Sequence, residues 1–247
     1  MRFFEKREKE LSKKIEKQNF IQSHFESSYI KFPNYNLSVI HNSLLVDANI
    51  NSKGSLVIFG EFKGFLDIEK TVYIQKGAKV IGKIKANRVK LLGEFSGELE
   101  TDLFESSIDA NFFGIIKANR AFLGGLFNGI VNAKEYVEIL PKSDIDTREI
   151  KSKNIKLAGR VKGNIIVSDL LEVKRYGLVK GKVVARGIKT EQGGLVLGDI
   201  KTFDDSLHGI DVDYKLEDLE MYNNMGYFNT KILENYIKRD TKTLTKI

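Results

Sequence analysis

Apolar and polar residues alternate over long stretches of this chain, and one glycine-flanked phrase returns throughout. Its clearest copies place an apolar residue midway between two glycines, as in Gly60-Glu61-Phe62-Lys63-Gly64 and Gly93-Glu94-Phe95-Ser96-Gly97. The central apolar positions of all copies are 62, 80, 95, 112, 127, 145, 161 and 179. A period of two with one apolar face predicts β-strands, because successive side chains leave opposite faces of a strand.

The spacing of these centres predicts the architecture. Successive centres lie 15 to 18 residues apart, which leaves no room for a hairpin pair with its turns or for a helix with its crossover. One coil of a parallel β-solenoid fits this length, and stacking of coils supplies the core that a single coil cannot form. We therefore predict an all-β fold, a single-stranded parallel β-helix of about ten coils of about 17 residues each over residues 37–203.

The coil lengths carry a second regularity. Steps of 15 or 16 residues alternate with steps of 17 or 18. The longer coils have extra turn residues before their centre, namely Lys76-Gly77, Pro141-Lys142 and Tyr176-Gly177. At about 4.8 Å per coil, the predicted rod is on the order of 45–50 Å long.

The repeated phrases resemble those of the bactofilins, a family of bacterial polymer-forming cytoskeletal proteins. The resemblance rests on "SLVIFGEFKGFLDI", "VKLLGEFSGELE", "VYIQKGAKVIGKIKA" and the entry phrase "SLLVDANINSKGSLVIFGEFKG". It implies a right-handed β-helix that assembles into filaments without nucleotide, often beneath the membrane. Two coils depart from the pattern, because Ala110 and Ser143 replace the first glycine.

Both ends of the chain read as separate from the rod. Residues 1–36 form a charged tail, and residues 204–247 form a tail that we expect to be partly helical. The resemblance implies that a short amino-terminal segment targets the membrane; here Phe3 and Phe4 would insert at the interface while Lys6 and Arg7 meet anionic headgroups. The alternative is a surface helix, because residues 1–17 hold four glutamates beside seven basic residues.

Composition narrows the possible partners and location. The chain has no cysteine, which removes disulfides and thiolate metal sites and is consistent with a reducing compartment. No stretch approaches 18 consecutive apolar residues, so we expect a cytoplasmic protein, in contact with the inner face of the membrane at most. The formal net charge is +7, but outward positions mix both signs and no nucleic-acid partner is expected.

Catalysis is not expected, and neither is a cofactor or a metal. The three histidines, His24, His41 and His208, lie outside the coils or at their margins, where a general base between rods is not expected. Asp144 and Asp146 are too few carboxylates for a dedicated calcium site. The recurring glycine phrase also lacks the Lys-Ser/Thr ending of a phosphate-binding loop.

Two surfaces of the rod are candidates for assembly. The ends should pair with further copies through Ile40 and Leu44 on one side and Ile200 and Phe203 on the other, since a solenoid end exposes unpaired backbone and an apolar cross-section. Apolar residues in outward register, Phe113, Ile115, Leu126 and Ile130, predict a lateral or partner patch or a face covered by a tail. The predicted function is a self-assembling cytoskeletal scaffold that recruits envelope or cell-shape factors; the alternative is a binding module whose ends are capped by its tails.

Overall fold

The computed structural model describes residues 36–203, and every regular element within them is a β-strand. The strands are β1 (Leu37–Ile40), β2 (Leu45–Ser52), β3 (Ser55–Ile58), β4 (Glu61–Ile74), β5 (Lys79–Leu91), β6 (Glu94–Ser106), β7 (Asn111–Leu123), β8 (Leu126–Ile139), β9 (Asp144–Leu157), β10 (Arg160–Val173), β11 (Leu178–Thr190), β12 (Leu195–Leu197) and β13 (Ile200–Thr202). The tails predicted for residues 1–36 and 204–247 lie outside the described residues, apart from Asn36.

All strand pairs are parallel, and consecutive long strands pair with each other from β4 to β11. The predicted centres align in register, as Phe62 pairs with Val80, Val80 with Phe95 and Phe95 with Phe112. The prediction of a parallel β-solenoid of about ten coils is therefore confirmed. Its right-handed sense stays a prediction.

The core consists of columns of apolar side chains that run along the stack. One column is aromatic in its middle: the rings of Phe95 and Phe112 lie 5.2 Å apart, and those of Phe112 and Phe127 lie 4.7 Å apart at an interplanar angle of 7°. Phe104, in the adjacent column, contacts Phe112 edge-on, and the two ring centroids lie 5.7 Å apart. Parallel in-register pairing places equivalent residues directly above one another, so one repeated apolar position becomes one continuous column.

The strands turn a corner at a ladder of glycines. Gly64, Gly82, Gly97 and Gly114 are register neighbours with φ between 129° and 141°. A Cβ on Gly97 would lie 1.8 Å from the carbonyl oxygen of Gly82. Both the positive φ and the close approach of backbones therefore require glycine at these four positions.

A second edge of the rod carries all connections between strands except 53–54 and 198–199, and we call it the turn edge. Four-residue connections, the long turns, lie at 41–44, 75–78, 107–110, 140–143, 174–177 and 191–194. Two-residue connections, the short links, lie at 59–60, 92–93, 124–125 and 158–159. Each long turn is closed by a bond such as Ala78 N–H to Gln75 O at 3.0 Å. Long turns and short links alternate up to 174–177, which accounts for the alternating coil lengths.

Candidate assembly surfaces

The first and last coils each have a parallel partner on one side only within residues 36–203. Strands β1 and β2 pair with β3 and β4, and strands β12 and β13 pair with β11. The outer edges of these four strands carry backbone groups that point along the axis of the stack. Such edges are sites at which another chain can add strands.

The apolar cross-section is exposed at the carboxyl end of the stack. Ile200 continues a core column whose preceding members, Val183 and Ile165, are fully buried. The Ile200 side chain is nevertheless 56% exposed, because no described coil covers it. Ile200 therefore occupies a core position, but no described coil packs on its outer side.

The amino-terminal coil repeats this arrangement. Val46 and Ile50 lie in register with the buried core residues Phe62 and Leu66, yet they are only partly buried. Leu44 is 49% exposed and Leu45 is 61% exposed. Both ends of the described stack thus present apolar side chains to solvent.

Two of the four predicted end residues differ from the expectation. Leu44 and Ile200 are exposed as predicted, but Ile40 and Phe203 are buried, at 6% and 8% exposure. Ile40 packs into the core cluster, and the guanidinium carbon of Arg186 lies 6.0 Å from the centre of the Phe203 ring. These two side chains are satisfied within their own chain, so they offer little surface to a neighbouring copy.

Residues that the sequence analysis did not name enlarge the end surfaces. Val39 and Leu45 are exposed in the first coil, and Leu195 and Leu197 are exposed in the last. Each occupies an outward position, and the register neighbours of two of them are charged in the adjacent coil, Glu61 beside Leu45 and Lys180 beside Leu197. The sequence could have indicated Leu45 and Leu197 as end residues, because each is apolar at an outward position where the adjacent coil has Glu or Lys.

The four residues of the predicted lateral patch differ in exposure. Ile115 and Ile130 are register neighbours as predicted, but both are only 1% exposed, and Phe113 is half-buried. These three offer little apolar surface to a partner, which agrees better with the alternative of a covered face, and the role of the patch stays a prediction. Leu126, the fourth member, is 60% exposed.

The predicted membrane-targeting residues, Phe3, Phe4, Lys6 and Arg7, lie outside the described residues. Between residues 36 and 203, no helix is long and apolar enough to span a membrane. Their role therefore remains a prediction.

A polar groove of about 1010 Å³ lies at the third corner of the coils. It forms because β5, β6 and β7 turn this corner with one residue each, Asn87, Asp102 and Asn119, whereas β4 and β8 use two. Its one hydroxyl, on Thr101, donates to a backbone carbonyl, 3.0 Å from Asn87 O. Its lining residues include the carboxylates Glu100 and Asp102 on either side of Thr101 and no histidine.

The acidic pair considered for calcium is engaged by basic neighbours. Asp144 accepts a bond from Arg160 at 2.7 Å, and Asp146 lies 3.5 Å from Lys162. Among residues 36–203, no group of three or more His, Cys, Asp or Glu side chains is placed to hold a metal ion. His41 lies in an exposed long turn, where its Nδ1 is 3.1 Å from Ser43 Oγ.

Charged side chains on the outer faces pair between coils. Arg88 makes two bonds of 2.9 Å to Glu105, and Lys156 lies 3.0 Å from Glu138. Burial raises the pKa of Tyr136 to about 12, and the adjacent Glu138 carboxylate adds to the shift. The tyrosine hydroxyl, which donates to Glu138 at 3.1 Å, therefore stays protonated at neutral pH.

These features together define a class of protein. The described chain is one parallel solenoid with apolar ends and outer faces linked by ion pairs between coils.

The comparisons with known proteins identify the family within this class. The family model for the polymer-forming cytoskeletal bactofilins matches residues 38–123 and 110–201, more than half of the chain. The chain belongs to the bactofilin family, and this membership places it among polymer-forming cytoskeletal proteins.

One curated relative supports the assignment. Bactofilin BacO of Myxococcus xanthus (strain DK1622) is 35% identical over 78 residues, which are 31% of this chain and 60% of the relative. The match thus spans less than two thirds of that relative. No solved structure matches the chain.

Proposed function

We propose that this chain polymerises by end-to-end stacking of its solenoid without a nucleotide, and that the polymer recruits envelope or cell-shape factors. The observation that carries the proposal is the exposure of Ile200 at the end of an otherwise buried core column. Contact with an end of another copy would remove this side chain from water, which favours association by about 1.5–3 kcal/mol for each such side chain.

The backbone supports the same contact. The outer edges of β12 and β13 at one end and of β1 and β2 at the other lack a strand partner within the described residues. Stacking of coils continues the hydrogen-bond ladder of the solenoid from one copy into the next. A polymer formed in this way uses the same interactions that hold the coils of one chain together.

The glycines of the repeated phrase support assembly without nucleotide. In a phosphate-binding loop, glycines bring backbone N–H groups to the ligand. Here the corner glycines pack against each other along the stack, since a Cβ on Gly82 would lie 2.0 Å from the carbonyl oxygen of Gly64. Packing between coils accounts for these glycines fully.

The location that we propose is the inner face of the cytoplasmic membrane. The amino-terminal Phe3 and Phe4 with Lys6 and Arg7 combine apolar and basic groups, which suits an anionic lipid surface. A polymer held there would present its outer faces to membrane and envelope proteins.

The alternative is a rod that stays monomeric or dimeric as a binding module. It is favoured by the burial of Ile40 and Phe203, since these residues at the two ends are already covered within their own chain. The two functions differ in one measurable property, the size of the assembly as protein concentration rises.

Ile200→Asp tests the proposal. Full-length wild type should form filaments in negative-stain images, and this variant should give discrete particles, because a carboxylate at the junction would be buried without a partner. Ile200→Val keeps an apolar side chain and should retain filaments. Leu126→Asp, at a 60% exposed position in the middle of the stack, should also retain them.

Two outcomes would contradict the proposal. Wild type that remains monomeric in sedimentation at every concentration would favour the capped rod. Filaments of Ile200→Asp as long as those of wild type would exclude this end from the contact. Circular dichroism and the melting temperature of each variant check that the solenoid is still folded.

A further inference from the structure

Exposed apolar side chains are concentrated in two places on the described rod. One group lies in the terminal coils and includes Ile200. Outside those coils, six large apolar side chains are exposed, and four of them lie on or directly beside the turn edge. These four are Phe59 at 40%, Ile108 at 51%, Leu126 at 60% and Tyr176 at 73% exposure. The other two, Leu170 and Ile188, lie in β10 and β11.

Projecting long turns and recessed short links alternate regularly along the turn edge. Long turns alternate with short links over nine successive connections, from 41–44 to 174–177. At about 4.8 Å per coil, long turns therefore recur about every 10 Å along the edge. Each short link leaves a gap between the two long turns that flank it.

The gaps are filled to different extents. Phe59 occupies the link 59–60, and the gap over link 92–93 is spanned by an ion pair between the flanking turns, Lys76 Nζ to Asp109 Oδ2 at 3.3 Å. The link 124–125 consists of two glycines and has no side chain. The gap over it is flanked by the exposed Ile108 on one side and the exposed Pro141 on the other.

Close packing of the backbone excludes a side chain from this link. A Cβ on Gly124 would lie 2.5 Å from the carbonyl oxygen of Ser106, and a Cβ on Gly125 would lie 2.2 Å from that of Ala110. Leu126 follows the link directly and is 60% exposed. The edge therefore holds an open gap with apolar side chains at its rim.

We propose that the turn edge is a lateral contact between two copies of this chain, in which a long turn of one copy enters the gap over Gly124–Gly125 of the other. This inference rests on the proposed polymerisation and adds a side-by-side contact to the end-to-end one. Of the predicted lateral patch of Phe113, Ile115, Leu126 and Ile130, it keeps only Leu126, and it adds Ile108.

The regular spacing of the turns favours a second copy of this chain as the molecule that fills the gap over Gly124–Gly125. Its turn edge has the same period, so one of its long turns can face the gap over Gly124–Gly125 while its other long turns lie opposite short links, when the copies are offset by one coil. The same edge also carries projecting apolar groups, such as Tyr176 at 73% exposure in the long turn 174–177. Gap and projection thus occur on one surface, as a contact between identical chains requires.

The double variant Ile108→Asp with Leu126→Asp tests the contact in full-length protein. Wild-type filaments should associate side by side into bundles, and the double variant should give single filaments of unchanged length, because four carboxylates would face each other across a paired edge. Leu170→Asp adds a carboxylate to an exposed leucine away from the turn edge and should bundle as wild type does.

A second measurement separates this inference from the proposed function. In protein that carries Ile200→Asp, end contacts are blocked, and analytical ultracentrifugation should show a concentration-dependent dimer that the double variant abolishes. Bundles or dimers that persist in the double variant would overturn the lateral contact, as would wild-type protein that forms only single filaments and no dimer. Absence of filaments from wild type with retention of the dimer would reject end-to-end polymerisation and keep the lateral contact.

Discussion

At the scale of single residues, the structure explains where the repeated phrase keeps its first glycine. Gly93 ends a short link, and a Cβ there would lie 2.4 Å from Gln75 O and 2.5 Å from Ala78 O, in the long turn of the preceding coil. Ala110 and Ser143 occupy the equivalent positions at the ends of long turns. Glycine is therefore required at the end of a short link, which packs against the long turn of the preceding coil. The end of a long turn accepts a small side chain.

Phe95→Ala should destabilise the solenoid by about 3–5 kcal/mol, the usual cost of truncating a buried phenylalanine. Phe95 is 1% exposed, and its ring stacks on Phe112 at 5.2 Å. Urea denaturation followed by circular dichroism measures the change. Phe59→Ala, at a 40% exposed position, is the matched control and should cost far less; equal effects of both changes would contradict the assignment of Phe95 to the core.

At the scale of elements, β10 and β11 and their turns are linked by a charged cluster. Lys174 lies 3.2 Å from Glu172 and also pairs with Glu191, while Lys189 lies 3.3 Å from Glu172. The pKa of Glu172 is lowered by hydrogen bonds, chiefly the one from Lys174 and next the one from Lys189. The pKa of Glu191 is lowered chiefly by a hydrogen bond from Lys174 and next by one from the Arg175 N–H. The cluster connects the last coils of the described stack.

The stability of these coils should fall in acid. Because the folded pKa of Glu191 is lowered, its contribution is present above the ordinary glutamate pKa of about 4.3 and is lost as pH falls through the folded value. The pKa of Lys174 is raised, chiefly by Glu191, so its contribution is lost only as pH rises through that raised value in strong base.

Glu191→Gln tests this dependence. Its melting temperature should fall less than that of wild type between neutral pH and pH values below the ordinary glutamate pKa, and the difference should be small because the cluster is largely solvated. Glu94→Gln, at an exposed position in β6, is the control and should follow the wild-type curve. Coincident curves for Glu191→Gln and wild type would remove the cluster as a cause of acid sensitivity.

At the scale of the whole molecule, a solenoid separates stability from assembly. Each coil contacts only its neighbours, so a change at an end or an edge leaves most of the core intact. The exposed apolar residues divide in the same way, with Ile200 and Leu44 at the ends and Ile108 and Leu126 at the turn edge. End contacts would set the length of a polymer, and edge contacts would set its thickness.

The proposed membrane attachment can be tested only in the full chain, because Phe3 and Phe4 lie outside the described residues. Replacing Phe3 and Phe4 by Ser should reduce sedimentation with anionic liposomes at low salt, because the aromatic side chains supply the apolar part of the binding energy. Replacing Phe20 and Phe25 by Ser is the matched control and should leave sedimentation unchanged. Full-length wild type that ignores such liposomes would contradict a membrane-targeting role for the amino-terminal segment.

The sequence by itself determined the period and register of the solenoid. Alternation follows from the geometry of a strand, so the inward positions of Phe62, Phe95 and Val161 could be predicted from local spacing alone. The alternation of coil lengths was equally visible, because a long turn adds residues at a fixed place in the coil. Register then followed, since in-register stacking is how each coil buries its apolar face.

Only the tertiary structure decided which side chains meet water. Ile115 and Leu126 are both apolar and outward in the sequence pattern, yet one is 1% and the other 60% exposed. Exposure depends on every group packed around a side chain, including groups distant along the chain, and alternation within one strand does not contain that information. For the same reason the sequence placed Phe203 and Ile200 together at an end, whereas the fold buries the first and leaves the second exposed.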